Sequence, residues 1–261
     1  MSTDVTPALR DALRAIAGVP RLLMALDFDG TLAPEVDSPE DARAIPAAQA
    51  AVERLLALPE TRLAFISGRA LGSLQHVTGA TPETLLVGSH GVEYRLDADG
   101  DGDPLEPHEL ERVQVLHDVL EAAVADIDQV WLEHKPAGFA VHSRLATPDD
   151  AQRAQRETRA RAEERLDGLT VRGGKNVLEF SVRSANKGEA VEHLRRYTHA
   201  DAVFFAGDDV TDEDAFRVLG DADLGLKSGP GDTAASFRVG GPDEVAHVLD
   251  ELATLREAAR A

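Results

Sequence analysis

The sequence predicts an α/β fold: a parallel β-sheet flanked by helices, with an α+β segment inserted into the chain. Three apolar runs, at 22–26, 62–66 and 202–206, have the pattern of buried strands, and each ends in glycine or polar residues. Amphipathic patterns typical of helices lie between them, as at 47–58 and 187–197. Strands that alternate with helices indicate a parallel sheet.

The first predicted strand runs directly into the sequence LDFDGTL, which places Asp27 and Asp29 two positions apart. Two carboxylates held close together repel each other, and burial penalises each charge further. The flexible Gly30 lets the turn fold so that the backbone N–H groups of Phe28 and Gly30 face a bound anion. The motif therefore indicates a ligand site.

Polar residues follow the other two strands at the same end of the predicted sheet. Ser67 follows the second strand, Asp208 and Asp209 follow the third, and Asp212 comes three residues later. Ligands of parallel α/β sheets bind beyond the carboxyl ends of the strands. We therefore expect these side chains to meet in one pocket.

A pocket with this many carboxylates needs a compensating cation, and Mg²⁺ is the hard, oxygen-binding ion that the sequence predicts. The cation would also turn an acidic cleft into a receptor for phosphate. Ser67 can donate a hydrogen bond to a phosphate oxygen, and Lys187 adds positive charge at the start of a helix. Asp209 and Asp212 have a second interpretation as caps of the helix that follows them.

These parts fit phosphoryl transfer, in which catalysis is mostly positioning and neutralisation of charge. One carboxylate can act as the nucleophile and form an aspartyl-phosphate, which splits hydrolysis into two steps. A second carboxylic acid can protonate the leaving sugar oxygen and then deprotonate water. The residues alone thus predict hydrolysis of a phosphate ester.

The segment 108–182 is predicted to be an α+β domain inserted between two strands of the parallel sheet. Apolar residues within 113–127 recur every three or four positions, which marks a helix, and Thr147-Pro148 opens a second helix. Short strands follow each helix, at 130–133, 139–142, 169–172 and 177–181. We expect a core domain of residues 1–107 and 183–261, with 108–182 as a cap over the carboxyl edge of its sheet.

The acidic stretch DADGDGD at 97–103 resembles the start of a calcium-binding loop. Its twelfth position would be His108, where such a loop needs glutamate, and no clear helix precedes it. We interpret the stretch as a solvated turn.

The composition excludes several classes of partner and site. Acids outnumber bases by 47 to 27, and the formal charge of −20 disfavours nucleic acid and anionic membranes as partners. The chain has no cysteine, so disulfides, zinc–thiolate sites and thiol catalysis are excluded. No apolar stretch has the length of a signal peptide or a membrane span. We expect a soluble, cytoplasmic monomer.

Four motifs, taken together and in order, resemble a known group of enzymes. DFDGT, SGR, the lysine of NKG, and GDDVTDED are similar to the motifs of phosphatases of the haloacid dehalogenase superfamily. The resemblance implies a Rossmann-like core with an inserted α/β cap. The stretches 207–216 and 88–93, and the cap sequence EHKPAGFAVHSR, are similar to the trehalose-6-phosphate phosphatase family. The resemblance extends over about 22–250, nearly the whole chain.

This resemblance implies roles for the residues of the core. Asp27 is expected to be the nucleophile and Asp29 the general acid and base. Mg²⁺ is expected to bind Asp27, the carbonyl oxygen of Asp29, and Asp208, with two further acids close behind. Those two acids are Asp209 and Asp212, and the residues expected to bind phosphate are Ser67 and Lys187.

The resemblance also implies a set of sugar-binding residues. His90 is expected at the edge of the pocket, and four cap residues are expected to reach the sugar hydroxyls: Lys135, His142, Lys175 and Glu179. The cap departs from the family at Ser143, where the family often has tyrosine, and at Ser181-Val182, where it often has Arg-Pro. His90 has an alternative interpretation as part of a loop, and the charged cap residues as a solvated ion cluster.

The expected function is Mg²⁺-dependent hydrolysis of trehalose 6-phosphate to trehalose and phosphate, the final step of trehalose biosynthesis. The partner is then a small-molecule phosphosugar. The first alternative is a phosphatase of another phosphosugar, such as sucrose phosphate or a glycosyl-3-phosphoglycerate. The second is a non-catalytic sensor of sugar phosphates, which would have no need for both Asp27 and Asp29.

Overall fold

A computed structural model of the 261-residue chain describes residues 5–36, 38–96, 105–174, 176–183 and 185–260. The chain forms two compact units, the first of Met1–Gly102 with Ala185–Ala261 and the second of Asp103–Ser184. The expected cap, 108–182, lies a few residues inside the second unit. The acidic stretch 97–103, interpreted above as a solvated turn, is outside the described residues.

The strands of the described chain are β1 (Leu22–Leu26), β2 (Thr61–Ile66), β3 (Leu85–Gly88), β4 (Glu93–Arg95), β5 (Trp131–Lys135), β6 (Gly138–His142), β7 (Thr170–Gly174), β8 (Val177–Ser181), β9 (Ala202–Gly207), β10 (Leu224–Ser228) and β11 (Phe237–Val239). The helices are α1 (Pro7–Ala17), α2 (Pro46–Leu56), α3 (Leu71–Thr78), α4 (Pro107–Val124), α5 (Pro148–Arg165), α6 (Lys187–Thr198), α7 (Asp212–Arg217) and α8 (Pro242–Arg260). Short 3₁₀ turns occur at Pro39–Asp41 and Ser89–Gly91.

The first unit contains a seven-stranded sheet in the order β11-β10-β9-β1-β2-β3-β4. Only β4 runs antiparallel to its neighbour. All five residues of β1 are buried, which explains why its sequence is a continuous apolar run. Leu22, Met24 and Leu26 pack with buried residues of α1, α2 and α8, whereas Leu23 and Ala25 pack with α6 and α7. The predicted α/β class is therefore confirmed.

The parallel strands of this sheet begin at what we call its amino edge. There the buried side chain of Arg256 on α8 bonds several segments of the chain. Its Nε donates to Thr61 Oγ1 at 2.7 Å, and its other nitrogens donate to backbone carbonyl oxygens. These acceptors are Ala17 at 3.1 Å, Val19 at 2.9 Å, Pro20 at 3.3 Å and Glu60 at 2.8 Å. Burial, with a smaller effect of Arg260, lowers the pKa of Arg256 to about 10. Arg256 thus joins α8 to the chain segments before β1 and β2.

The second unit is a four-stranded antiparallel sheet, β5-β6-β8-β7, that packs against α4, and α4 packs against α5. Thr147 caps α5 as predicted, since its side chain accepts a hydrogen bond from the N–H of Asp150 at 3.2 Å. The side chains that alternate along the strands divide the sheet into two faces. The apolar face carries buried residues, namely Phe139, Val141, Leu178 and Phe180. The opposite face is polar.

No helix in the described part of the chain combines the length and the apolar character that a membrane span requires.

Candidate active site

The candidate site lies at the carboxyl ends of three adjacent strands. β1 is at the centre, with Leu26 paired to Ala206 of β9 on one side and to Phe65 of β2 on the other. Each strand therefore ends at the same level, and the chain leaves each one through a polar loop. The structure brings together the loops that follow β1, β2 and β9, as the sequence predicted.

Asp27 is the first residue after β1 and is only 4% exposed. Its Oδ1 accepts a hydrogen bond from Lys187 Nζ at 2.8 Å, and its Oδ2 accepts one from Thr31 Oγ1 at 3.2 Å. Its backbone N–H donates to Ala206 O at 2.9 Å, which continues the pairing of β1 with β9. Both carboxylate oxygens are thus oriented by neighbouring donors.

Lys187 begins α6 and is 2% exposed. Asn186 caps this helix through its side chain, which accepts from the N–H of Glu189 at 2.9 Å. The Lys187 ammonium donates to Asp27 and also to Asp212 Oδ1, at 2.6 Å. Burial alone would lower the pKa of Lys187, but the charges of Asp27 and Asp212 outweigh burial and raise it. Lys187 is therefore a fixed positive charge inside the site.

Three carboxylates of the described residues converge closely enough to hold a metal ion. One oxygen each of Asp27, Asp208 and Asp212 lies within 4.8 Å of the other two. Burial, followed by the charges of Asp212 and Asp209, raises the pKa of Asp208 to about 7, so the local negative charge is undercompensated. An all-oxygen donor set with excess negative charge fits a hard divalent cation.

Asp212 and Asp209 are both bonded within the loop that precedes α7. Asp212 Oδ2 accepts from the N–H groups of Asp208 and Asp209, at 2.9 and 3.0 Å. Asp209 Oδ1 accepts from the N–H of Asp212 at 3.1 Å, and from the N–H and hydroxyl of Thr211 at 2.8 and 2.7 Å. Asp209 is not among the three converging carboxylates of the described chain. Its contacts are those of a residue that organises the start of α7.

The Asp29 carboxylate binds Arg69 of the SGR motif, a residue to which the sequence assigned no role. Arg69 Nε donates to Asp29 Oδ2 and Nη2 donates to Oδ1, both at 2.6 Å. Arg69 Nη1 also donates to Pro39 O at 2.7 Å and to Ser73 Oγ at 3.3 Å. The guanidinium is therefore fixed in place, and it orients the Asp29 carboxylate through a two-bond ion pair.

Gly30 serves a purpose other than the one expected. Its N–H donates to Ala33 O at 2.8 Å, so it is engaged within the turn and does not face a ligand. Gly30 has φ +72°, and a Cβ at this position would collide with the Asp208 carboxylate. Phe28 anchors the same turn, because its buried ring packs edge-on against Phe65 at 6.2 Å between centroids.

Ser67 follows β2 and is buried, with its Oγ accepting from the N–H of Arg69 at 3.1 Å. His90 lies against this loop: its N–H donates to Ser67 O at 3.0 Å, and a Cβ on Gly68 would collide with its ring. His90 and Ser89 both have left-handed backbone conformations, with φ 58° and 49°. Such strain is held only by surrounding contacts, and it is often found beside functional sites.

Two residues at the end of β10 also bind the acidic loops and were not predicted. Lys227 is 3% exposed and its ammonium donates to the carbonyl oxygen of Asp208. Ser228 Oγ donates to Gly30 O at 2.8 Å. Together they join the loop after β1 to the loop after β9. The available signal was composition, because lysine occurs at only four positions of the chain.

The polar face of the second unit carries three of the predicted sugar-binding residues. Glu133, which was not predicted, accepts from Lys135 Nζ and pairs with His142 Nε2, both at 2.7 Å. Burial would raise the pKa of Glu133, but Lys135 and His142 outweigh it and lower that pKa. Burial raises the pKa of Glu179, which lies two strands from Glu133 on the same face. The fourth predicted residue, Lys175, is outside the described residues.

The fold defines the class of the protein. A haloacid dehalogenase-like hydrolase from Bacteroides thetaiotaomicron superposes with a TM-score of 0.62 over 88% of this chain and 98% of that chain, at 17% identity. A trehalose-6-phosphate phosphatase from Aspergillus fumigatus superposes with a TM-score of 0.69 at 26% identity, over 94% of this chain and 97% of that one. The expected core of haloacid dehalogenase type is thus confirmed.

The sequence comparison narrows this class to a family. The sequence model of the trehalose-phosphatase family matches residues 25–248, so the chain belongs to that family. A trehalose-phosphate phosphatase from Mycobacterium marinum is 34% identical over 94% of this chain and 66% of its own length. A bifunctional trehalose-6-phosphate synthase/phosphatase from Thermoproteus tenax is 33% identical over 89% of this chain. The chain spans about a third of that protein and about two thirds of the mycobacterial one.

Proposed function

We propose that this protein is a Mg²⁺-dependent phosphatase that hydrolyses trehalose 6-phosphate to trehalose and phosphate, the final step of trehalose biosynthesis. The observation that carries the proposal is the buried Asp27 carboxylate, held by Lys187 and Thr31 beside the carboxylates of Asp208 and Asp212. Membership of the trehalose-phosphatase family supports the choice of substrate.

In the first half-reaction, an Asp27 oxygen attacks phosphorus and the bond from phosphorus to the sugar oxygen breaks. Asp29 supplies the proton that the leaving sugar oxygen takes up, which leaves free sugar and an aspartyl-phosphate on Asp27. Lys187 and Ser67 hold the phosphoryl oxygens. Mg²⁺, bound by Asp27, the Asp29 carbonyl and Asp208, with Asp209 and Asp212 behind them, would neutralise phosphoryl charge.

In the second half-reaction, Asp29 acts as the base. It takes a proton from a water molecule, whose oxygen attacks phosphorus and breaks the bond to the Asp27 oxygen. Asp27 is regenerated and phosphate leaves. Arg69 orients Asp29 in this half, when the carboxylate is ionised, because its two bonds fix the carboxylate plane.

We assign the core chemistry to residues 1–107 and 183–261, and recognition of the sugar to residues 108–182. The sugar-binding residues that we propose are Lys135, His142, Lys175 and Glu179, together with His90 from the core. We add Glu133 because it contacts both Lys135 and His142. Carboxylates, imidazole and ammonium groups on an open sheet match the donors and acceptors of sugar hydroxyls.

We further propose that the protein is a cytoplasmic monomer whose partner is the phosphosugar alone. Its net charge of −20 would repel nucleic acid and anionic lipid. The substrate is also an anion, so binding depends on the local positive charge that Lys187 and the cation provide.

Release of inorganic phosphate tests the proposed function. We expect the protein to release phosphate from trehalose 6-phosphate with Mg²⁺ present and to lose this activity in EDTA, with recovery when Mg²⁺ is added back. Sucrose phosphate and a glycosyl-3-phosphoglycerate, assayed in parallel, should be poorer substrates. Binding of trehalose 6-phosphate without release of phosphate would contradict the proposal and indicate a sensor, and a faster reaction with another phosphosugar would reassign the substrate.

A further inference from the structure

The chain contains one tryptophan, Trp131, which begins β5 on the polar face of the second unit. It pairs across the strands with His142 of β6, and the two rings stack at 5.0 Å between centroids with an angle of 10° between their planes. The guanidinium carbon of Arg144 lies 5.4 Å from the centre of the same indole ring. Trp131 is therefore in contact with two basic side chains at once.

The stack is connected to the polar cluster of this face. His142 Nε2 pairs with Glu133 Oε2 at 2.7 Å, and Glu133 Oε1 accepts from Lys135 Nζ at 2.7 Å. Trp131, Glu133 and Lys135 alternate along β5, so all three side chains lie on the same face. Contacts thus run from Trp131 through His142 and Glu133 to Lys135.

The stack does not belong to the apolar core of the second unit. The buried rings of this sheet, Phe139 and Phe180, lie on the opposite face with the helices, whereas the side chains of His142 and Glu133 are 23% and 43% exposed. A large aromatic ring on an open polar face, in contact with groups that can hydrogen-bond a ligand, indicates a role in recognition. An aromatic ring orders its neighbours at low entropic cost, since it has only two rotatable side-chain bonds.

We propose that Trp131 is a positioning residue for sugar recognition: its indole holds the His142 imidazole and the Arg144 guanidinium in the orientations in which they meet the hydroxyl groups of the sugar. The inference rests on the proposed function, because it assigns the polar face to the sugar. Pre-ordering these two side chains lowers the entropy lost when the phosphosugar binds. The effect should therefore fall on KM rather than kcat.

The first test compares two substitutions at one position. We expect Trp131→Leu to raise the KM for trehalose 6-phosphate about ten-fold, with kcat within about two-fold, because rotamer ordering is lost while the core is intact. Trp131→Phe keeps a planar ring and should retain most of the affinity. p-Nitrophenyl phosphate has no sugar, so its kcat/KM should be the same in both variants and in the parent protein, which also shows that the variants are folded.

His134→Leu is the matched control, since His134 is an exposed residue of the same strand whose ring lies edge-on to Phe139 on the other face, 5.0 Å away. It should leave the KM for trehalose 6-phosphate unchanged. Because Trp131 acts partly through His142, Trp131→Leu combined with His142→Gln should raise KM by less than the product of the two single fold-changes, and full multiplicativity would contradict that coupling.

The second test uses the fluorescence of Trp131, which is free of any other indole signal. We expect titration with trehalose to change the emission, with a midpoint that matches inhibition of phosphate release by trehalose. An unchanged KM in Trp131→Leu, or constant emission at trehalose concentrations that inhibit, would overturn the inference. Failure of the parent protein to release phosphate from any phosphosugar would instead overturn the proposed function.

Discussion

Arg256 at the amino edge of the core sheet and Lys187 at its carboxyl edge are both buried cations, but their partners are opposite in kind. At the amino edge, Arg256 donates only to neutral oxygens, four of them backbone carbonyls and one the hydroxyl of Thr61. At the carboxyl edge, Lys187 donates to two carboxylates, Asp27 and Asp212. The pKa of Arg256 is lowered to about 10 by burial, whereas that of Lys187 is raised by its anionic partners.

This difference indicates that the amino edge contributes to stability, whereas the carboxyl edge serves function. Arg256 donates a hydrogen bond to each of five oxygens at the amino edge, so its network holds the fold together. At the carboxyl edge, burial and then the neighbouring charges of Asp212 and Asp209 raise the pKa of Asp208 to about 7. Such a cluster costs folding free energy, and a ligand that brings positive charge offsets that cost.

The largest effect is expected from removing the nucleophile at the carboxyl edge. Asp27→Asn should lower kcat by at least about 10⁴-fold, because loss of a nucleophile removes the covalent pathway. The variant should stay folded, as measured by circular dichroism and thermal unfolding. Substantial release of phosphate by this variant would show that another group is the nucleophile.

The matching change at the amino edge should affect stability and spare activity. Arg256→Met removes all five hydrogen bonds of the guanidinium and should lower the free energy of unfolding by about 3–5 kcal/mol, as measured by urea denaturation. Its kcat/KM should be unchanged at temperatures where it is folded. Arg260→Ala is the control, because this exposed residue of α8 also donates to Val19 O and Pro20 O, and its loss should cost well under half as much. Equal losses would contradict the role given to Arg256.

A smaller loss of activity is expected when Asp29 loses its partner. Arg69→Gln and Arg69→Lys should both lower kcat/KM about 10²-fold, because neither side chain can form two parallel bonds to a carboxylate. Arg195→Gln removes a similar two-bond pair, with Asp223 at 3.0 and 2.5 Å, outside the acidic cluster, and should leave kcat/KM unchanged. Full activity of Arg69→Lys would show that charge alone is sufficient.

The smallest effect is expected at an ion pair of the second unit, and it depends on pH. A hydrogen bond from Arg183 lowers the pKa of Glu109 to about 2, from an ordinary value near 4.5. A depressed pKa stabilises the fold above pH 4.5 and loses this contribution as pH falls toward 2. Glu109→Gln should therefore cost about 1 kcal/mol at pH 7 and progressively less below pH 4.5, in urea titrations at several pH values.

Urea titrations at several pH values also distinguish the two edges. The acceptors of Arg256 are neutral, so the cost of Arg256→Met should not shrink between pH 7 and pH 4. A cost that falls with pH would mean that Arg256 acts mainly through a carboxylate.

The central strands could be predicted from the sequence because buried parallel strands are continuous apolar runs. The runs 22–26, 62–66 and 202–206 match β1, β2 and β9 to within one residue, and α6 begins at Lys187 as expected. In the second unit the run 177–181 coincides with β8. The short edge strands β4 and β11 were not predicted, because three residues are too few to show a pattern.

Residues of the site could be predicted from the sequence only where they lie in a short recognisable motif. Arg69 lies inside a motif that was identified, yet its pairing with Asp29 joins residues that are distant in the chain. Arg256 resembles an ordinary surface arginine of a C-terminal helix, and only the folded chain shows that it is buried. Lys227 can likewise be assigned to the site only from its position in the folded chain. Long-range pairs of this kind leave no periodic trace in a single sequence.

Because Gly30 lies so close to Asp208, a substitution at one of these positions affects the other, although the two are distant in the sequence. Any side chain at position 30 would have to push the carboxylate aside, so it would disturb the acid at the end of β9 as well as its own turn. Substitutions at the two positions are therefore expected to be coupled, and natural variants with a larger residue at position 30 should carry a smaller residue or a displaced acid at position 208.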